Sequence, residues 1–570
     1  MNLFFKKHIL WLLFVTVFNL GQSVMINAQQ LDRIGQEDPL KINGGLSVNQ
    51  LWRNNVQPGV KPYSLVATGN LTANLYGMTI PFSFSWSNER WTYTQPFNRF
   101  SLSPSYKWAT LHLGWSSMNF SSYSLSGHSF MGVGAEIAPG DKFRLSAMHG
   151  ELVKASKGDT LLGIEPRYRR MGTGLKGDYS FEKGEISLMF FHGQDDTQQS
   201  IQNIDSLGII PMENFTVGTR VSLRPISKLS VVSEFHLSSL SHDRRLSSSA
   251  DLDGAATRQY HAALLQLAYS MNIGSIGAGV EYVEPGYETL GAYYTVNDFI
   301  NYTINVSTSM LAGRVNLTAN TGIRQNNLNN MADSNQRDAI SSVAVGIIPT
   351  ESLMFNLSYS NFYNYTHVRP LIDELVAQTE YELMDTLRFT QINENINLGA
   401  NWRIVETETI SHGLMLNLGF QQATQTQNSA VENAGSRFMN GSGGYQYGLK
   451  DLNLNFALNV NYSRNKSPES IMESLGPNLS VRKSFPERNL SGNFSLGWNG
   501  TYTDGTNNGS ITTTRLNISY KLKEVHQFGF STAYNHRNYN ASKSQQATAT
   551  LNYSYSFGWP KQKNPDQNNL

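Results

Sequence analysis

Four histidines, His112, His149, His236 and His412, fall within segments that read as strands, and each could move a proton if a carboxylate or hydroxyl stood beside it. The sequence identifies no such neighbour, so a satisfied or lumen-facing ring outweighs a catalytic one. Asp195 and Asp196 offer adjacent carboxylates to a cation, but the spaced oxygen ligands and fixed glycine of a calcium loop are missing around them. The Asn-x-Ser/Thr matches at Asn119, Asn214 and Asn301 follow from a composition rich in these residues. With 0 cysteines there is no disulfide, thiolate metal site, cysteine nucleophile or lipid-modified cysteine. The expectation is a chain that is not an enzyme, with no catalytic residues, no cofactor and no metal site.

Charge is scarce throughout. Lys, Arg, Asp and Glu make up 15% of the 570 residues, and the formal net charge is +1. A soluble domain carries about 25% charged residues. No basic footprint points to nucleic acid as a partner. Against this background Glu136, Arg144, Glu281 and Arg403 stand out, because each interrupts a segment long enough to cross a bilayer. Charge at that depth faces a lumen rather than lipid. These four either line a water path or belong to an internal salt-bridge network that fills a wide barrel.

The elements that must position them have a period of two, recurring from about residue 41 to residue 559. In 452–462, Leu454, Phe456, Leu458, Val460 and Tyr462 share one face, while Asn453, Asn455, Asn459 and Asn461 share the other. Segments of about 9 to 13 residues match tilted membrane-crossing strands rather than the 5 or 6 residues typical of globular ones. Tight turns at Tyr76-Gly77-Met78, Pro139-Gly140-Asp141-Lys142, Ala312-Gly313-Arg314 and Lys523-Glu524-Val525 alternate with long polar links. Aromatics at Phe190-Phe191, Phe362-Tyr363, Tyr365 and Trp559 read as interfacial girdles at strand ends. The fold class is therefore all-β: one large transmembrane antiparallel barrel of about 26 strands (range about 22 to 28), with short periplasmic turns and long extracellular loops.

The longest link holds a short predicted helix at 371–387, opened by Pro370, with Leu371, Leu375, Leu383 and Leu387 near helical spacing. Its acidic residues Asp373, Glu374, Glu380, Glu382 and Asp385 form either a solvated exterior cap or a gate inserted into the pore mouth. The other long links, around 243–258, 285–301, 326–337 and 421–437, are Asn-, Ser- and Asp-rich and read as mobile.

At the start, Lys6 and Lys7 precede an apolar run at 9–20 and a cut site before Gln29. That run would rise only about 18 Å as a helix, against about 30 Å of bilayer hydrocarbon. The reading is a signal peptide at 1–28, a short periplasmic segment at 29–40, the barrel at 41–559 and a periplasmic tail at 560–570.

The alternating aromatic strands, the absent cysteine and the terminal strand 551–559 make the chain resemble bacterial outer-membrane β-barrel proteins. Its Asn- and Tyr-rich strands and the segment 97–127 are similar to uncharacterised barrels of the Bacteroidota. The resemblance implies residence in the Gram-negative outer membrane with lipid as a partner. TonB-dependent transporters carry a globular plug ahead of their first strand, and the dozen or so residues between the cut and the first alternating segment do not fit one. The expected function is a transport or export channel without such a plug. The alternative is a structural platform subunit of a secretion or surface-lipoprotein complex, with an envelope or surface lipoprotein as partner.

Overall fold

The computed structural model describes residues 40–54, 61–88, 99–156, 166–197, 209–245, 257–329, 337–361, 394–423, 435–539 and 543–559. The signal peptide, the periplasmic segment up to residue 39, the helix at 371–387 with its acidic residues, and the tail lie outside the described residues.

Each strand forms because its apolar and polar residues alternate, so pairing buries the backbone polar groups while the two faces go to different solvents. Consecutive strands pair antiparallel from Leu40–Arg53 to Lys543–Trp559, and these two then pair with each other from Ile42 opposite Trp559 to Arg53 opposite Thr548. The sheet is thus closed and has no edge. Arg99–Leu102 and Ser105–Tyr106 both pair with Met78–Ser87 and with Ala109–Asn119, so they are halves of one strand broken at Ser103 and Pro104. The 27 strand segments therefore make a 26-stranded barrel (27 − 1 = 26).

At one end every link is short, the end that outer-membrane barrels keep in the periplasm. Tyr76 and Gly77 form such a turn with φ of 48° and 83°, the paired positive values that match strand twist in a two-residue hairpin. At the other end most links are long, but 467–470, 504–505 and 540–542 are not. Short links therefore also occur at the long-loop end, among the strands that lead to the closing seam.

The outer face is an apolar belt. Leu188, Leu265, Leu458, Val460, Leu496 and Trp498 stand exposed on it, with a lipid tail as their natural neighbour. A closed barrel wearing such a belt is an integral outer-membrane protein that crosses the bilayer many times. Leu458, between Tyr445 and Leu479, and Asn459, between Gly444 and Asn478, sit one residue apart on opposite faces. Leu458→Arg should cost about 2 to 4 kcal/mol in unfolding from lipid vesicles, and Asn459→Arg much less. Equal costs would contradict the assignment of faces.

Candidate functional site

Following the register inward gives a wall of two kinds. On one part of the circumference, strands such as Thr506–Leu522, Leu454–Lys466 and Glu394–Glu406 present mainly Asn, Ser, Thr and Gly to the interior. On the other, from Ala109–Asn119 round to Phe299–Met310, the half of the inner face toward the long-loop end is covered by the chain itself, and the half toward the short turns is open. In Gly184–Asp196, Ser187, Met189, Phe191, Gly193 and Asp195 are buried, whereas the intervening Leu188 and Phe190 are exposed to the lipid side.

The cover consists of two links, 120–125 and 284–298. Phe120 and Leu125 of the first and Leu290 of the second pack on Met118, Phe130, Met148, Leu152, Met189 and Phe191 of the wall. Tyr123 and Tyr287 pack with Ala262, Val283 and Phe299 in a neighbouring cluster. Each large side chain removed from water here is worth about 1.5 to 3 kcal/mol. Wall glycines make the room: a Cβ on Gly174 would meet the Phe120 ring at 2.8 Å, and one on Gly218 would meet the His236 ring at 2.0 Å.

Polar bonds fix the two links to each other and to the wall. The Tyr287 hydroxyl donates to the Tyr123 carbonyl at 2.5 Å, the Thr289 hydroxyl to the Ser124 carbonyl at 2.7 Å, and the Ser126 amide to the Gly291 carbonyl at 3.0 Å. The Ser238 hydroxyl donates to the Glu288 carbonyl at 2.7 Å, and Asn214 accepts from the Leu290 amide at 3.2 Å.

At the centre lies a buried ionisable group. Glu234 accepts from the Ser121 hydroxyl and stands 2.8 Å from His236 Nε2 and 3.7 Å from Arg220. Its carboxylate is nearly inaccessible and the His236 side chain entirely so, and the His236 ring depends on Glu234 for its polar partner. The Tyr123 ring lies 5.5 Å from that of His236, and its hydroxyl donates to Glu281 at 2.6 Å. Burial first, and then Glu281, push the Tyr123 phenol far above its ordinary value, and burial does the same to Tyr287. Both phenols therefore stay protonated and keep donating under physiological conditions.

Of the residues singled out in the sequence, His236 and Glu281 join this network. Glu136 lies 3.1 Å from His112 Nε2, whose Nδ1 is 3.1 Å from the Ser103 hydroxyl. Arg144 faces Asp178 across the register, and Arg403 donates to the Glu351 carbonyl. The four sit on four different strands and form no common cluster. His149 pairs with Thr173 at 2.8 Å, and His412 with Tyr445. Asp195 is taken by Arg170 at 2.8 and 3.2 Å and by the Met212 amide at 3.0 Å.

Two expectations change. The link at 284–298 is seated, with Tyr287 and Leu290 at 0% and 1% exposure, because aromatic and aliphatic side chains among its polar ones find an apolar wall. Phe190 and Phe191 are in mid-strand rather than at an interface, and Phe191 points inward because that wall is covered. Ser121, Tyr123, Tyr287 and Glu234 were not selected from the sequence, and His236 was named there without its partner. The run of apolar residues on both faces in Leu188-Met189-Phe190-Phe191 was the available signal that something packs inside.

No family model and no curated protein matches the chain. Among solved structures it is similar to the P pilus usher PapC translocation pore, at 10% identity and a TM-score of 0.38, over 91% of this chain and 99% of that one. It is also similar to the FrpB iron transporter of Neisseria meningitidis, at 9% identity and 0.35, over 93% and 83%. A third is OccAB2 of Acinetobacter baumannii, at 9% and 0.32, over 91% and 98%.

Proposed function

We propose that the protein is a conduit for solutes across the outer membrane of a bacterium of the kind its strands resemble, narrowed by two of its own links rather than by an N-terminal plug. The observation that carries this reading is the unequal wall. A barrel of this strand number encloses a lumen wider than that of porins. Links 120–125 and 284–298 cover one part of it with apolar contacts, while the remainder is lined by hydrogen-bonding side chains that suit water and polar solutes. Glu136, Arg144 and Arg403 then serve as wall charges along the water path, and Glu281 as an anchor for the cover.

The purified full chain in planar bilayers should show stable single-channel conductance without added protein. A chain that inserts and stays closed would remove the reading. The short links at 467–470 and 504–505 on the long-loop end favour a second one, in which a surface lipoprotein or secretion component sits over that side and the barrel is its platform. In that case gentle purification would recover a stoichiometric partner, and the barrel alone would not conduct.

A further inference from the structure

The uncovered wall is more than generally polar. A hollow of about 740 Å³ runs along it near the short-turn end, within the range of about 300 to 1,000 Å³ used by small-ligand sites. Asn455, Arg482, Asn493 and Asn517 stand opposite one another in a single row across four neighbouring strands. Adjacent members of such a row are about 4.8 Å apart. Gln446 and Arg403 lie on the next row, where a register shift between Arg403 and Val405 keeps Arg403 and Glu406 on the same face. Glu406 is bound by Lys450, which leaves two guanidinium groups as the electrostatic character of the hollow.

Each Asn or Gln amide offers a donor and an acceptor without charge, the same pair that a sugar hydroxyl offers in return. An arginine beside such a row supplies the planar fork that fits a carboxylate. Arg403 and Arg482 are separated by four strand steps, roughly 19 Å along the wall, so a ligand touching both is elongated. We propose that this hollow binds a carboxylated oligosaccharide, an acidic sugar chain lying across the strands with its hydroxyls on the Asn row and its carboxylates on Arg482 and Arg403. This deepens the conduit reading and rests on it for the ligand's route, but the binding can be measured apart from conduction.

The test is calorimetry of the detergent-solubilised full chain with tetragalacturonate, with neutral maltotetraose and with inorganic phosphate. Tetragalacturonate should bind at least tenfold more tightly than either of the others, and Arg482→Gln should weaken it about tenfold. Asn493→Ala, which leaves both charges in place, should weaken it less, and both variants should keep the heat-resistant migration of a folded barrel. Equal binding of the acidic and neutral chains, phosphate binding as tight as the oligomer, or an unchanged Arg482→Gln variant would each overturn the site. Binding without conductance in bilayers would preserve the site and remove the conduit; conductance without binding would do the reverse.

Discussion

Replacing 285–297 with a short glycine-containing turn should raise single-channel conductance roughly twofold or more, because that link and its partner at 120–125 occupy lumen that the strands alone would leave open. The flanking strands Gly274–Val283 and Phe299–Met310 pair with each other along their lengths, so the barrel does not need the link to close. Excision does expose Met189 and Phe191 to the lumen, which lowers stability and makes a second variant useful. Leu290→Asp keeps the loop length but puts a carboxylate into a site 1% exposed, where it has no partner, and should unseat the link by itself. The chain's 0 cysteines allow the converse experiment. Ser126 and Ala292 are bridged through their backbones, and cysteines placed at both positions should lock the cover and hold conductance low until reduced. Conductance unchanged by both excision and Leu290→Asp would show that these links do not narrow the passage.

The architecture was legible because a barrel repeats one local rule. Alternation such as Leu454, Phe456, Leu458 against Asn455 and Asn459 fixes both the strand and its face, and the recurrence of tight turns fixes the count near 26. The cover was not legible in the same way, since it depends on where links fold back, and a polar link carries no period. Its traces were in the wall. The pairs Gly132 and Gly134, and Gly172 and Gly174, put two small residues on one inner face, and Met148, Met189 and Phe191 put apolar ones beside them. Small and apolar residues on a face meant for water indicate packing against another segment, but not which segment. The Glu234–His236 pair escaped for another reason: two residues apart on one strand, they read as ordinary lumen polarity until Ser121, a distant residue in sequence, closes over them.

That closure makes Glu234→Ala the single substitution with the largest expected effect on the cover. The carboxylate is the acceptor for the Ser121 hydroxyl and the partner of His236 and Arg220. Without it the fully buried His236 ring keeps neither polar contact, as its Nδ1 already has none. Breaking a buried pair from one side costs about 3 to 5 kcal/mol. The cost does not fall on the strand, where the backbone pairings of Leu229–Ser241 to both neighbours are unaffected by the side chain. It falls on what can leave: link 120–125, held there through Ser121, and with it 284–298, held to Tyr123 and Ser124. The variant should therefore remain a folded, membrane-inserted barrel while 120–125 becomes sensitive to protease added from outside and conductance rises toward that of the excised form. Tyr123→Phe, which removes one bond to Glu281 and keeps the ring, should move both readouts in the same direction by less, about 1.5 to 3 kcal/mol of the seating energy. If Glu234→Ala left protease resistance and conductance as they were, the apolar contacts alone would be holding the cover, and the buried network would have no part in closing the lumen.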